Sequence, residues 1–301
     1  MTRVSWMSGS VALAMLGVVG DASALPDREW GTYVGGTGSE GAADVVFDSW
    51  NDLIVAGWTS SSAGMTTSGA FDTSFGGAID GFISQWDQAS GRIWSTYYGG
   101  SGEDYFRRVV VNGDDEIYAV GSTKSSSGVA TSGAHQTTLS GTVDAMLVKF
   151  DDAGDPLWAT YFGGPGAEDN ASSHPSVCIG GDGSVSIVGS TTSTSQIATT
   201  GAHQTAKSGL TDATTDAWDT TVSNTDGLFA SFNAAGALLY SSYNGGTAWD
   251  TTYGVASDAS GVAVVVGSTG SSGSIATTGV FDTVLSGTSD AFITLIRLYF
   301  V

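Results

Sequence analysis

The residues of this chain most able to do chemistry are four acids that stand at one point of a repeated pattern. In Y-Y-G-G-S-G-E-D, residues 97–104, two glycines follow two aromatic residues, and an acid stands four residues after the second glycine. Related patterns occur four times, and their acids are Glu40, Asp104, Glu168 and Asp250. Ca²⁺ prefers carboxylate and carbonyl oxygens. One hypothesis is therefore a calcium site formed by these four acids.

A structural role is the alternative for these acids. Asp and Asn side chains in turns accept hydrogen bonds from nearby backbone N–H groups, and a glycine-rich loop exposes such groups. A requirement of local geometry recurs wherever the geometry recurs, and every copy of the pattern has its acid. A second set of acids also recurs at one point of each repeat: Asp80, Asp144, Asp226 and Asp290. The two alternatives for this set are a second acidic ring and hydrogen bonds to the loop that precedes each aspartate.

One insertion breaks the regular pattern. Residues 211–226, T-D-A-T-T-D-A-W-D-T-T-V-S-N-T-D, add Asp212, Asp216, Trp218 and Asp219. Trp249 stands in the next glycine-rich loop, where the other copies have small or acidic residues. Indole rings stack on apolar faces and keep a polar N–H, while carboxylates accept sugar hydroxyls or hold a metal. These five residues predict a carbohydrate-binding site, and the alternative is that Trp218 packs against its own loop.

The sequence predicts no catalytic residues. It contains no G-x-S-x-G, H-E-x-x-H or P-loop motif, which are the sequence signatures of several hydrolases and nucleotide-binding enzymes. Cys178 is the only cysteine, so no disulfide can form within the chain. A pair of carboxylates for glycoside cleavage stays open, because the sequence does not fix the distance between them.

Composition limits the kinds of partner. The net charge is −21, from 30 acidic and 9 basic residues. Nucleic acids and anionic membranes bind cationic patches, so neither is expected as a partner. Hydrophobic residues make up 41% of the chain, which is enough for a packed core and unlike the composition of disordered chains.

The N-terminus has the three parts of a secretory signal peptide. Arg3 supplies a positive charge, residues 11–19 are a short apolar run, and Ala22-Ser23-Ala24 fits a cleavage site. Residues 1–24 are therefore predicted to be a signal peptide, and residues 25–301 one mature domain. The apolar run is shorter than the about 20 residues of a membrane-spanning helix. No membrane span is expected, and the predicted location is secreted or at the cell surface.

Internal repetition indicates the architecture. Trp30, Trp94 and Trp158 are spaced by 64 residues, and Tyr240 follows Trp158 by 82 residues, so repeats start near these four positions. Each repeat has short runs of β-branched and aromatic residues separated by turn sequences such as N-G-D-D at 112–115, and residues 25–301 have no segment of helical periodicity. Four strands per repeat are typical of β-propeller blades.

The first and last strand segments complement each other in this pattern. Residues 30–34 have the sequence of a fourth strand, whereas the last repeat shows three strands, the last at 291–298. Pairing between these segments would close a ring and remove exposed strand edges. The sequence therefore predicts an all-β fold: a four-bladed β-propeller of four repeats of about 64 residues, closed by the N-terminal strand pairing with the last blade.

The repeated motifs resemble the SBBP repeat, a bacterial extracellular β-propeller repeat. The resemblance rests on W-x-T-Y-x-G-G-x-G-x-(E/D), A-V-G-S-T, T-S-G-A-(F/H)-(Q/D)-T and D-A-(F/M)-x-x-K-F-D, and it covers about residues 30 to 301. The family name implies seven blades, whereas four repeats occur here. The resemblance implies a propeller fold and a secreted or surface location, and it supplies no catalytic residues.

The expected function is that of a secreted or cell-surface binding or scaffold protein. In such blades short turns lie on one face and long loops on the other, and loops carry function more often than scaffolds do. The alternatives are a calcium-assisted carbohydrate-binding module and an enzyme that acts on polysaccharide through acids at the mouth of the central channel. Expected partners are a glycan or a surface protein, and Ca²⁺ is the candidate cofactor. The sequence does not indicate an oligomeric state.

Overall fold

The regular structure of the described residues consists of β-strands. The computed structural model describes residues 30–168, 175–208 and 225–297, in which there are fifteen strands. These described ranges contain no helix, and so none that is long and apolar enough to cross a membrane. The predicted signal peptide, residues 1–24, lies outside them.

The strands form four antiparallel sheets, in each of which strands that follow one another in sequence are paired. The first sheet contains β1 (Glu40–Phe47), β2 (Leu53–Thr59), β3 (Asp80–Asp87) and β4 (Gly91–Tyr98). The second contains β5 (Asp104–Val111), β6 (Ile117–Thr123), β7 (Asp144–Phe150) and β8 (Pro156–Phe162). The third contains β9 (Ser176–Ile179), β10 (Val185–Thr191), β11 (Asp226–Phe232) and β12 (Leu238–Asn244). The fourth contains β13 (Asp250–Ser257), β14 (Ala263–Thr269) and β15 (Asp290–Ile296).

These sheets confirm the predicted all-β class and the fourfold repeat. In the second repeat, β-branched and aromatic runs predicted four strands, and β5 to β8 lie at those segments. The last repeat has three strands in the described part of the chain, as its sequence predicts. The repeat is visible in the sequence because each strand is a short apolar run bounded by turn residues.

The predicted strand at residues 30–34 is not present as a strand. This segment has no regular secondary structure, and the side chain of Tyr33 is fully exposed. In the described residues, β15 is paired with β14 alone. An extended segment becomes a strand when its N–H and C=O groups find partners. Closure of a ring by this segment therefore stays a prediction.

Neighbouring sheets pack face to face through apolar clusters. At the first contact, Ile54, Ala56 and Ile83 of the first sheet pack in one cluster with residues of the second sheet that include Val109 and Met146. We call the face that a sheet turns to the following sheet its trailing face, and the opposite face its leading face. The same two faces meet between the second and third sheets and between the third and fourth.

Two tryptophans tie these sheets together at their outer strands. The indole N–H of Trp94 on β4 donates to the carbonyl of Asp152 at 3.0 Å, and that of Trp158 on β8 donates to the carbonyl of Ala234 at 2.9 Å. Both acceptors lie in a turn of the following sheet. The Trp94 ring rests on Gly154, whose φ is +85° and where a Cβ would collide with the ring. Glycine is therefore required there for both conformation and space.

The connections between strands fall at two ends of the sheets because successive strands are antiparallel. Short turns join the first strand to the second and the third to the fourth. The other end, which we call the long-loop end, carries the passages between sheets and the loops 60–79, 124–143, 192–225 and 270–289, of which 209–224 lie outside the described residues. Part of each complete sheet's long loop runs along the fourth strand: in the second sheet, the N–H of Thr131 donates to the carbonyl of Ala159 at 3.0 Å.

Candidate functional site

Asp104 shows how the acid of a glycine-rich loop is held. It is the first residue of β5 and is fully buried. Its carboxylate accepts hydrogen bonds from the hydroxyl of Thr123, from the hydroxyl of Ser125 at 2.6 Å and from the N–H of Gly100 at 2.8 Å. Thr123 ends β6, so these bonds join the start of the first strand to the start of the long loop. We call this arrangement the acid clasp.

The clasp recurs in the other three repeats. In the third and fourth repeats the acid also accepts a bond from a glycine N–H, at 3.0 Å for Glu168 and 2.6 Å for Asp250. The acids and their hydroxyl donors are Glu40 with Thr59 and Ser61, Glu168 with Thr191 and Ser193, and Asp250 with Ser271. Thr269 lies opposite Asp250 in the strand pairing. The glycine-rich loop therefore supplies the backbone donors that a structural role requires.

The hydroxyl partners leave a signal in the sequence. Each repeat has T-x-S at the end of its second strand, at 59–61, 123–125, 191–193 and 269–271. The threonine follows its acid by 19 residues in the first, second and fourth repeats and by 23 in the third, but spacing alone does not show which groups face each other. Strand pairing decides this, since the register of β5 on β6 places Asp104 opposite Thr123.

The aspartates that open the third strands bond to the long loops before them. Asp144 accepts from the N–H of Ser140 at 2.8 Å and from the Nε2 amide of Gln136 at 2.6 Å. The other three aspartates of this set also accept N–H bonds from their preceding loops: Asp80 from Gly76 and Gly77, Asp226 from Ser208, and Asp290 from Ser286. These bonds fix the end of each long loop, just as the clasp fixes its start.

The two sets of acids meet where consecutive repeats join. Glu168 lies beside Asp144, since a Cβ on Gly163 would collide with a carboxylate oxygen of each, and both side chains are fully buried. Burial raises the pKa of Glu168 to about 7, with a further contribution from the charge of Asp144 and opposition from its hydroxyl and N–H donors. Burial also raises the pKa of Asp144. Two neighbouring carboxyl groups in a dry site retain a shared proton to higher pH than isolated ones.

A lysine offsets the acids at the junction of the third and fourth sheets. Lys207 is buried, at a position where the first two long loops have Phe75 and Leu139. Burial lowers the pKa of Lys207, and the carboxylates of Asp226 and Asp250 act in the opposite direction. Burial raises the pKa of Asp226 to about 6. Lys207 thus supplies the positive charge that partly compensates a buried acid pair.

Access limits the chemistry of these acids. Asp104, Glu168 and Asp250 are 0% exposed, and Glu40 is partly buried. Throughout the described ranges, no three His, Cys, Asp or Glu side chains converge in a group that could hold a metal ion. The arrangement can order loops and hold protons. The calcium hypothesis for the four acids stays a prediction that a metal-binding measurement has to test.

Trp249 is the member of the predicted carbohydrate site that the structure describes. Its side chain is partly exposed, and it lies against Gly270, where a Cβ would stand 2.8 Å from the indole Nε1. Its carbonyl accepts the N–H of Gly270 at 2.8 Å. The other predicted members lie outside the described residues, so their distance from Trp249 stays a prediction: Asp212, Asp216, Trp218 and Asp219.

Comparisons with known proteins add no assignment. No protein-family model matches the chain, and no curated protein sequence matches it. The resemblance to the SBBP repeat therefore rests on the sequence motifs alone.

Proposed function

We propose that the protein is a secreted or cell-surface β-propeller repeat protein that acts as a binding or scaffold module through its long-loop end. In this proposal the four sheets are successive propeller blades. Support comes from their repeated antiparallel order and from the contacts of their first strands, since β1 contacts β5, β5 contacts β9 and β9 contacts β13. Adjacent first strands are expected of blades whose innermost strands surround one axis.

The acid clasp is the observation that carries the functional part of the proposal. A catalytic carboxylate has to come within hydrogen-bonding distance of its substrate. The paired acids Asp144 and Glu168 are fully buried, so nothing in the described geometry favours an enzyme that acts on polysaccharide. The acids that recur in each repeat hold the loops in place. The surface of the loops is therefore the part of the long-loop end that a partner would contact.

Exposed threonines give a means of testing this surface. One threonine in each long loop is exposed at the same point of the repeat: Thr73, Thr137, Thr205 and Thr283. Replacing two of them by lysine changes the surface without touching a clasp. The matched control changes two exposed residues in short turns, Asp114 and Asp152.

The test is binding of the purified protein to a microbial and plant glycan array and to insoluble cell-wall polysaccharide. We expect the double variant Thr137→Lys/Thr205→Lys to lose binding and Asp114→Lys/Asp152→Lys to keep it, with both variants unfolding within a few degrees of the parent. Loss of binding in the short-turn variant alone would contradict the proposal. A blank array and no polysaccharide binding would remove the glycan as partner and leave a surface protein as the ligand to seek.

The partly exposed Trp249 favours a second candidate function, a calcium-assisted carbohydrate-binding module. Trp249 directly precedes the clasp acid Asp250. A sugar stacked on the indole ring of Trp249 would therefore lie next to a cation held by Asp250. The array is therefore run with Ca²⁺ and with EDTA, and with the double variant Trp218→Ala/Trp249→Ala. Binding that disappears in EDTA supports the calcium role of the acids. Binding that EDTA does not change, but that the tryptophan variant loses, removes calcium and keeps the sugar site.

A further inference from the structure

The trailing face of the fourth sheet is apolar and uncovered, unlike the same face of the other sheets. Ile293 on β15 is 77% exposed, and Val266 and Leu295 on this face are 41% and 61% exposed. The residues in phase with Ile293 in the first three sheets are each 0% exposed: Ile83, Leu147 and Phe229. The difference arises because each of those three sheets is followed by another sheet.

The leading face of the first sheet is uncovered in the same way. Val45 and Phe47 on β1 are 55% and 58% exposed. The residues in phase with Val45 in the second and third sheets, Val109 and Val177, are 2% and 6% exposed because the preceding sheet covers them. The chain therefore presents one uncovered trailing face and one uncovered leading face.

The contacts inside the chain show what fits each of these faces. Three times, the trailing face of one sheet packs on the leading face of the next and forms an apolar cluster. We propose that a second copy of this chain continues the series, with the trailing face of the fourth sheet of one copy packed on the leading face of the first sheet of the other. The pairing of the two faces rests on the contacts inside the chain, whereas the size of the resulting ring rests on the proposed function, in which the sheets are propeller blades.

The missing fourth strand of the fourth sheet points to the same partner. In the first sheet, the loop residue Phe71 stacks on Tyr98 of the fourth strand with ring centroids 6.2 Å apart, whereas its counterpart Phe281 is fully exposed. Residues 30–33, W-G-T-Y, match the fourth-strand sequences W-S-T-Y at 94–97 and W-A-T-Y at 158–161. A fourth strand leads directly into the leading face of the next sheet. In the assembly, residues 30–34 of the second copy would therefore pair with β15 of the first.

This interface joins two different faces, so it is heterologous and either closes into a ring or extends into a filament. Two copies contribute eight sheets, twice the four of one chain, and closed propellers have about four to eight blades. A ring of two chains is therefore the expected product. Each chain carries a net charge of −21, so salt should strengthen the association by screening the repulsion between copies.

The test measures the mass of the full chain in solution by light scattering, with variants that place a carboxylate on one face at a time. We expect the parent to have twice the chain mass of 30.4 kDa. Ile293→Glu blocks the trailing face and Val45→Glu the leading face, so each alone should be monomeric, with association weakened roughly a hundredfold or more by burial of an unpaired charge. An equal mixture of the two should form an open dimer, because each variant retains the face that the other needs. The control is Leu157→Glu, at an apolar residue of β8 that is 49% exposed and that belongs to an inner sheet.

Several outcomes would overturn the proposal. A parent chain that stays monomeric at high concentration and in high salt would show that this interface does not form. A dimer that persists in Val45→Glu or in Ile293→Glu alone, or a mixture that stays monomeric, would show that the faces do not meet head to tail. Thr32→Pro removes an N–H and cannot sit in a paired central position of a strand, so an unchanged dissociation constant in this variant would remove residues 30–34 from the interface. All variants should keep the far-ultraviolet spectrum of the parent.

Discussion

Ser125 donates a hydrogen bond of 2.6 Å to the carboxylate of Asp104, which opens the first strand of the same sheet 21 residues earlier. Both side chains are fully buried. The bond ties the start of a long loop to the start of a strand, and an equivalent bond is present in every repeat. The in-phase acids are therefore part of the reason why four loops of different sequence leave their sheets in the same way.

Removing the charge of one clasp acid should destabilise the fold. Asp104→Asn places an amide N–H₂ among donors that need an acceptor: the hydroxyls of Thr123 and Ser125 and the N–H of Gly100. Hydrogen bonds to charged groups contribute about 1.5–3 kcal/mol each, so we expect the free energy of unfolding in urea to fall by roughly 2–4 kcal/mol. Asp114→Asn, at an exposed position of the same sheet, should change it by less than about 0.5 kcal/mol. Equal effects of the two variants would contradict a structural role for the clasp.

Stability should decrease as the pH rises towards neutrality. The pKa of Glu168 is raised from its ordinary value of 4.5 to about 7, so between these two values the folded chain holds a proton that the unfolded chain has released. The free energy of unfolding therefore falls as pH rises through this window. The raised pKa of Asp226, about 6, acts in the same direction. Urea unfolding at a series of pH values between 4.5 and 8 measures this slope.

Glu168→Gln provides the control for that slope. The amide does not titrate, so between pH 4.5 and 7 the variant should show a flatter dependence on pH than the parent. The resulting difference in the free energy of unfolding should be largest above pH 7. If the parent and Glu168→Gln have the same slope, Glu168 is not the group that holds the proton.

Lys207 should matter most when its acidic neighbours are charged. It is buried near Asp226 and Asp250, and Lys207→Met would leave their charges uncompensated. Breaking a buried charge pair typically costs about 3–5 kcal/mol, and partial protonation of the acids should reduce this cost. We therefore expect Lys207→Met to lower the urea midpoint strongly at pH 8 and weakly at pH 5. Lys124→Met, which removes an exposed ion pair with Glu103, should cost less than about 1 kcal/mol at both pH values.

The indole bond between sheets can be tested with a small change. Trp94→Phe keeps an aromatic ring on Gly154 but removes the N–H that donates to the carbonyl of Asp152. A typical hydrogen bond contributes about 1 kcal/mol, so we expect a loss of about this size in urea unfolding. Trp50→Phe, at a side chain that is 75% exposed, should have no measurable effect. A larger loss in Trp50→Phe than in Trp94→Phe would remove the indole bond from the contacts that hold neighbouring sheets together.

The sequence by itself determined the strand content, the fourfold repeat and the phase of the acids. These features are local, because a strand is a short apolar run between turn residues and a repeat is read from residue positions. The turn glycines, and the acid four residues after each glycine pair, are local features in the same sense. The predictions for β5 to β8 were correct for this reason. The segment at residues 30–34 has the same local pattern as β4 and β8, but its pattern could not show whether a partner strand was available.

Tertiary structure alone decided which groups face each other. The partnership of Asp104 with Thr123 and Ser125 depends on the register of β5 on β6, and the proximity of Glu168 to Asp144 depends on how consecutive repeats join. Burial then set the pKa values, because the cost of a charge depends on how completely packing excludes water. The contrast between Ile83 and Ile293, 0% and 77% exposed at one point of the repeat, has the same origin: the local sequence makes both apolar, and only packing between sheets decides which of them is covered.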